Sequence, residues 1–230
     1  MSARAANATV AIRRRLEDWA RQGRTVVNEA DTKDLLALAG ITIPRRGGKK
    51  GPFAVKLASD KFPHKTEHGL VQLNVKGTEV GKVAKRLQRA DRQGRVLVEQ
   101  MIGDGIGEWI VGCKHDATFG PIVLSGPGGI FVELLDQVEI RLAPAGARVA
   151  RAMIESGYGR RILGGLRGKP AGDAAALADM VVRVSRLFAE NKDLIEEIEI
   201  NPVIVRPKKE GAVAVDALLV LKQTRGRAVA

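Results

Sequence analysis

The stretch EIEINPVIVRPKKEGAVAVDALLVL, residues 197–221, predicts two β-strands joined by a short loop. Isoleucines alternate with polar residues in the first strand, which is typical of a strand with one buried face. A turn centred on Lys208–Lys209 would set Asn201 opposite Asp216, so that both side chains point to the same face. Their Cβ atoms would then lie ~4.5–5.5 Å apart. Two oxygen ligands at this separation suit one Mg²⁺, which prefers ligand distances of about 2.0–2.1 Å.

Strand alternation places Glu197 and Glu199 on the same face as Asn201. The isoleucines between them then point into a core. A simpler interpretation is also open, in which Asn201-Pro202 marks a bend and Asp216 is an ordinary acidic residue at a strand end. The hairpin sequence alone favours neither interpretation, so the rest of the chain has to decide.

The composition is that of a globular protein, with 45% apolar and 28% charged residues in a chain of 230. This length allows one large domain or two small ones. The single cysteine, Cys113, excludes an internal disulfide and a cysteine-based zinc site, and it favours a reduced, cytoplasmic setting. The first residues lack the apolar segment of a secretory signal, and no apolar run approaches the ~20 residues of a membrane span. We therefore expect no membrane partner.

The net charge of +12 would suit a polyanionic partner. Nucleic acid is one candidate, but the basic residues are spread along the chain and no nucleic-acid-binding motif accompanies them. Nucleotides and coenzyme A are also polyanions and would gain from a positive field. An ordinary basic surface accounts for most of the charge, so we do not expect nucleic acid as the partner.

A glycine-rich segment, GDGIG at residues 103–107, predicts a hinge-like connection between two lobes. Strand and helix patterns are mixed on both sides of it, which predicts an α/β fold with mixed sheets. The clearest helix runs from an Asp173 cap to about Glu190. The expected organisation is a helical extension, a first lobe, a second lobe and a tail, at residues 1–24, 25–102, 103–222 and 223–230 respectively.

Two residues of the first lobe could act on phosphate. Lys56 is a cation within the apolar strand FAVKLA, residues 53–58, and could reach into a cleft, although a solvated lysine on an edge strand would give the same pattern. The loop HKTEHG, residues 64–69, offers His64 as a nucleophile towards phosphorus. An ordinary surface histidine is the simpler alternative there.

Two further segments could bind other parts of a nucleotide. At the end of the strand before the glycine connection, Glu99 and the backbone of Gln100 and Met101 could read an adenine edge, or the strand could simply end there. The segment SGPGGIFVE, residues 125–133, could cradle an anion with backbone N–H groups. It matches neither the P-loop nor the Rossmann glycine pattern, so those two sites are disfavoured.

Taken in chain order, these segments resemble a known family, the β-subunit or ATP-grasp half of the acyl-CoA synthetases that form ADP. The resemblance rests on the ordered segments VKL, HKT, VEQMI, EWIVGCKHD, FGPIVLSGPGGIFVELL, RLAP, RGKP, SRLF, EIEINPVIV and AVDALLVL. It covers nearly all of residues 25–222 and extends more distantly to the β-subunit of succinyl-CoA synthetase. It implies an ATP-grasp fold, with ATP or ADP held between two lobes. The implied reaction converts a carboxylic acid, ATP and CoA into acyl-CoA, ADP and phosphate, through an acyl phosphate and a phosphohistidine.

The resemblance also assigns roles by motif. Lys56 would hold phosphates, the strand end at Glu99 and Met101 would hold adenine, and His64 would relay phosphate between subunits. Glu108 would make a further nucleotide contact after the hinge, and Mg²⁺ would be carried by the hairpin. The complete set of candidate residues is Lys56, His64, Gly69, Glu99, Gln100, Met101, Glu108, Glu199, Asn201 and Asp216.

Some features depart from the family pattern. The segment RRGGKKG, residues 45–51, replaces a longer helix and linker, so the first lobe is shortened. The loop after His64 ends in Gly69 alone, where two glycines are usual. The CoA-binding and acyl-handling domains are absent, which predicts a hetero-oligomer with a CoA-binding α-type subunit. The alternative is a degenerate ATP-grasp module that serves as a regulatory nucleotide-binding subunit.

Overall fold

The computed structural model of the chain describes residues 3–48, 50–62, 65–128, 138–165 and 170–223. Helices within these residues are α1 (Ala3–Arg21), α2 (Glu29–Leu38), α3 (Val80–Gln88), α4 (Ala147–Glu155), α5 (Gly157–Leu163) and α6 (Ala174–Glu190). The strands are β1 (Val26–Val27), β2 (Phe53–Ala58), β3 (Val71–Val75), β4 (Arg95–Gln100), β5 (Gly107–Asp116), β6 (Gly120–Pro127), β7 (Glu139–Leu142), β8 (Ile195–Val205), β9 (Ala212–Ala214) and β10 (Ala217–Leu221). The predicted mixture of helices and strands is confirmed.

The larger of the two sheets has the strand order β1-β10-β8-β5-β6-β7, with β9 also paired to β8. All of these pairings are antiparallel. One face of this sheet packs on α4 and α6, because their apolar stripes share a core with the buried residues of β5 and β8. The cap expected for α6 is confirmed, since the Asp173 side chain accepts a hydrogen bond from the Ala176 N–H.

The register predicted for the closing hairpin is confirmed. Val203 pairs with Ala214 on β9, and Ile200 pairs with Ala217 on β10. Between these pairs, the Asn201 N–H donates to the Asp216 carbonyl oxygen at 3.1 Å. The hairpin therefore sets Asn201 opposite Asp216, as required for two side chains that share one face.

The smaller sheet has the order β3-β2-β4, so Lys56 lies on its central strand. The interpretation of Lys56 as a solvated residue on an edge strand is therefore wrong. Phe53, Val55 and Leu57 face a core that is completed by α3. The opposite face of β2 turns towards α2, where Ala58 packs against Ala30. Both faces are covered, which explains why Lys56 is only 3% exposed.

The N-terminal elements belong to the larger sheet. Val26–Val27 pairs with β10, and the apolar side chains of α1 and α2, such as Leu16 and Leu35, join the core of the larger sheet. The predicted first lobe, residues 25–102, therefore contributes to both sheets, and the helix predicted as an extension is packed on the core. The glycine connection at residues 103–107 does join the sheets, since β4 ends at Gln100 and β5 begins at Gly107.

The glycine-rich segment after β6 has a packing role at Gly128. A Cβ there would lie 2.7–2.9 Å from the backbone of Trp109, so only glycine fits without displacement. The Gly128 N–H donates to the Glu108 carbonyl oxygen at 2.8 Å, which removes one donor from the predicted anion cradle. The rest of that segment, residues 129–133, lies outside the described residues, as does the tail from residue 224. Within the described parts of the chain, no helix combines the length and apolarity needed to cross a membrane.

Candidate functional site

A cavity of about 200 Å³ lies between the loop that follows β2 and the closing hairpin. Its lining residues are Lys65, Thr66, Glu67, Glu199, Asn201, Asp216, Ala217 and Leu218. The structure therefore brings together the three residues predicted to hold Mg²⁺. The loop contributes a lysine to the same space, so the cavity combines anionic and cationic groups.

The oxygen donors of this cavity suit a hard divalent cation. Glu199 and Asn201 are adjacent on the outer face of β8, where the Asn201 amide donates to Glu199 Oε1 at 3.5 Å. Asp216 faces them from the bend between β9 and β10. No cluster of three or more His, Cys, Asp or Glu side chains that could hold a metal is present among the described residues. Mg²⁺ commonly takes only one or two protein carboxylates and completes its coordination with phosphate and water, so this donor set fits Mg²⁺ that arrives with a nucleotide.

Lys56 is buried in a network of charges beside the cavity. Its Nζ lies 2.7 Å from Glu29 Oε1 and 3.4 Å from Glu99 Oε2, and it donates to the Val215 carbonyl oxygen at 2.8 Å. A buried ammonium requires such partners, because its desolvation is otherwise too costly. Lys56 is not among the residues that line the cavity, but it holds the backbone next to Asp216.

The network contains three lysines and three carboxylates, and we call it the lysine–carboxylate cluster. Its members are Glu29, Lys33, Lys56, Lys65, Glu99 and Asp216. Lys33 Nζ lies 2.7 Å from both Glu29 and Glu99, and all three of these side chains are 0–1% exposed. The formal charges of the cluster balance, which is the condition under which buried ions are tolerated.

Glu29 has three lysine neighbours, which stabilise its ionised form. Burial alone would raise its pKa, but the charges of Lys33, Lys56 and Lys65 outweigh burial and lower the pKa to about 2. Glu29 also begins α2 directly after the Asn28 cap, where the helix dipole favours negative charge. Glu29 is therefore ionised throughout the neutral pH range.

Burial and neighbouring charges together shift the pKa values of Lys33, Lys56 and Asp216 in different directions. Burial lowers the pKa of Lys33, and its glutamate partners offset this only in part. Burial also acts to lower the pKa of Lys56, but Glu29, Asp216 and Glu99 together raise it above its ordinary value. Burial and the nearby Glu29 charge raise the pKa of Asp216, despite opposing contributions from Lys65 and Lys56. Additional positive charge beside Asp216 would therefore be favourable.

The residues predicted to bind adenine make other contacts in the structure. The Glu99 side chain is 1% exposed and forms ion pairs with Lys33 and Lys56. The Gln100 N–H donates to the Arg45 carbonyl oxygen at 2.9 Å, and the Met101 N–H donates to the Pro52 carbonyl oxygen at 3.1 Å. Adenine recognition at this strand end stays a prediction, and these two donors would have to exchange partners to take part in it.

The remaining candidates are more dispersed. Gly69 ends the cavity loop with φ +64°, a left-handed conformation that favours glycine, and its N–H donates to the Thr66 carbonyl oxygen. Glu108 is exposed on β5 opposite Ile204 and does not line the cavity. His64 lies outside the described residues, so its role stays a prediction.

Sequence reasoning missed Glu29, Lys33 and Lys65. A signal for the first two was present, because Glu29 and Lys33 are four residues apart in a helix that also buries Leu35 and Leu36. Such pairs usually lie on a solvated face, but this one is buried, with Lys56 of β2 beside Glu29 and Glu99 of β4 beside Lys33. Lys65 follows His64 directly, and in the HKT motif only the histidine suggested a role in phosphate chemistry.

Comparison with known proteins finds the same family that the sequence motifs resemble. The family model described as an ATP-grasp domain matches residues 18–221. The chain is 35% identical to the β-subunit of ADP-forming acetate–CoA ligase II from Pyrococcus furiosus, over 90% of this chain and 96% of that protein. It is 38% identical to ADP-forming acetate–CoA ligase I from Archaeoglobus fulgidus, over 74% of this chain but only 25% of that longer protein.

A solved structure extends the likeness to three dimensions. The chain superposes with a TM-score of 0.79 and 31% identity on a dinucleotide-forming acetyl-coenzyme A synthetase from Candidatus Korarchaeum cryptofilum, covering 92% of this chain and 100% of that one. That structure is a complex with coenzyme A and Mg-AMPPCP, with a phosphohistidine segment pointing towards the nucleotide-binding site.

Proposed function

The chain belongs to the ATP-grasp family and, within it, to the β-subunits of ADP-forming acetate–CoA ligases, as its motifs predicted, and we propose that it is the ATP- and ADP-binding subunit of such an acid–CoA ligase. The observation that carries the proposal is the cavity lined by Asn201, Asp216, Glu199 and Lys65. These are the groups that a magnesium–nucleotide complex requires, oxygen donors for the metal and a cation for phosphate.

Mg²⁺ would be held by Asp216, Asn201 and Glu199. When bound, it neutralises charge on the phosphates and so favours their transfer. Lys65 reaches the same cavity and would contact phosphate oxygens directly. Lys56 lies behind it, and its predicted contact with phosphate would require it to leave Glu29 or Val215. In the arrangement described, Lys56 instead fixes the backbone that carries Asp216.

The proposed reaction converts a small carboxylic acid, CoA and ATP into acyl-CoA, ADP and phosphate. We assign phosphate relay to His64 on the basis of its motif. CoA and the acid would be bound by a separate α-type subunit. The P. furiosus relative is named as one subunit of a ligase, and the longer A. fulgidus ligase matches this chain over a quarter of its length. Both observations support a partner, whereas none of these relatives supports the alternative of a regulatory module.

Calorimetric titration of the protein with ADP in the presence of Mg²⁺ tests the proposal. Asp216→Asn removes one negative charge at nearly constant shape, and we expect at least a roughly tenfold weaker affinity, or about 1.4 kcal/mol. Glu196→Gln is the matched control, because Glu196 is exposed on β8 and does not line the cavity. Equal affinities of the wild type and Asp216→Asn would refute the metal assignment, and no binding to the wild type would refute nucleotide binding.

A further inference from the structure

Lys65 bridges two carboxylates that have different roles. Its Nζ lies 2.7 Å from Asp216 Oδ1, on the hairpin, and 3.0 Å from Glu29 Oε2, within the lysine–carboxylate cluster. The side chains of Lys65 and Glu29 are 7% and 1% exposed, whereas that of Asp216 is 27% exposed. The ammonium therefore contacts the same carboxylate that we assign to the metal.

Glu29 offers a second position for this ammonium. Glu29 Oε2 accepts no hydrogen bond, and it is the only buried side-chain oxygen of the described residues in that condition. It is nevertheless close to Lys65 Nζ, whose hydrogen bond goes to Asp216. A small rotation of the lysine would satisfy Glu29 Oε2 and release Asp216, so both end states have a partner for the ammonium.

The Lys65 ammonium and a divalent cation cannot both contact Asp216 without repelling each other. The cluster is neutral with the ammonium beside Asp216, and a divalent cation at Asp216 would place like charges side by side. We propose that Lys65 is an exchangeable counter-ion, which competes with the divalent cation for Asp216 and turns to Glu29 and the nucleotide phosphates when the cation binds. This inference rests on the proposed function, because it requires Asp216 to be a metal ligand.

The exchange predicts that a variant without the Lys65 ammonium binds the metal alone more tightly but binds ADP with Mg²⁺ more weakly. If the ammonium occupies Asp216 in about nine molecules of ten, the apparent affinity for the metal alone is reduced roughly tenfold. Removing the ammonium therefore tightens the binding of the metal alone by about that factor. The same change weakens the binding of ADP with Mg²⁺, because a cation that contacts phosphate is lost. If Lys65 had only a structural role, its removal would weaken both the binding of the metal alone and the binding of ADP with Mg²⁺.

The test compares Lys65→Met with Lys61→Met, a matched control that removes an exposed lysine paired with Asp91. Mn²⁺ alone serves as the metal probe, with its free concentration followed by electron paramagnetic resonance. Lys65→Arg retains the positive charge and should bind Mn²⁺ as the wild type does. Thermal unfolding of each variant shows whether it is folded.

Tighter Mn²⁺ binding by Lys65→Met, together with weaker binding of ADP and Mg²⁺, supports the exchange. An unchanged or weaker Mn²⁺ affinity, including undetectable binding to both proteins, overturns it. Titration of the wild type with ADP and Mg²⁺ separates this failure from that of the proposed function. If the wild type binds the nucleotide but Lys65→Met does not gain Mn²⁺ affinity, only the counter-ion inference fails.

Discussion

Replacing Glu29 with glutamine should be among the most destabilising conservative changes in this protein. Glu29 is shared by Lys33, Lys56 and Lys65, and the substitution leaves three buried or nearly buried lysines with only two carboxylates. The lowering of the Glu29 pKa from 4.5 to about 2 corresponds to about 3 kcal/mol of stability at neutral pH. Removing one partner of a buried ion pair typically costs about 3–5 kcal/mol, so both arguments give the same magnitude.

The stability that Glu29 contributes should change with pH in one direction only. Because the folded protein lowers the pKa of Glu29, its contribution is complete above about pH 4.5 and is lost as the pH falls towards 2. The difference in unfolding free energy between wild type and Glu29→Gln should therefore be largest near neutral pH and decrease in acid. Glu29→Gln lacks the titrating carboxylate, so its own stability does not show this part of the pH dependence.

Urea unfolding followed by circular dichroism at several pH values measures the effect. Glu17→Gln is the control, since Glu17 makes an exposed pair with Arg13 four residues away and should change stability by less than about 0.5 kcal/mol. The double variant Glu29→Gln/Lys33→Met restores the charge balance and should recover part of the loss. A difference below about 1 kcal/mol at neutral pH, or one independent of pH, would refute the reasoning about the cluster.

Two further predictions concern other parts of the chain. Gly128→Ala should destabilise the protein by roughly 1–3 kcal/mol, because its Cβ would collide with the backbone of Trp109. Gly81→Ala, in open space on α3, should instead stabilise it by roughly 0.5–1 kcal/mol, and equal effects in thermal unfolding would contradict the packing argument. With the CoA-binding partner, ATP and Mg²⁺, the wild type should acquire acid-labile phosphate and His64→Ala should not. Equal labelling of both would remove His64 from the relay.

The sequence was sufficient where local rules determine the structure. Strand alternation and the position of the turn predicted the hairpin register, because a hairpin relates its residues through one short connection. The cap at Asp173 was predictable for the same reason, since its side chain accepts a hydrogen bond from Ala176 N–H, three residues along the same helix. These rules were sufficient to predict that Asn201 and Asp216 face each other.

The sequence was insufficient where the outcome depends on contacts between distant segments. Two residues, Val26–Val27, are too few to predict a strand from the sequence. Their pairing with β10 connects segments near opposite ends of the chain. The partners of Lys56 come from α2, β4 and the hairpin, so no spacing along the sequence indicates them. The lysine was correctly singled out as unusual, but its surroundings required the assembled fold.

The lysine–carboxylate cluster has a consequence for how the two sheets are held together. Lys56 and Glu99 come from the smaller sheet, whereas Glu29 and Asp216 come from elements attached to the larger one. Apolar surfaces can slide over each other at little cost, but charged hydrogen bonds are directional and hold one arrangement. The sheets are thus joined at this point by directional contacts between charged groups. A nucleotide and its metal that bind at Asp216 and Lys65, as proposed, would bind at one of the contacts that hold the two sheets together.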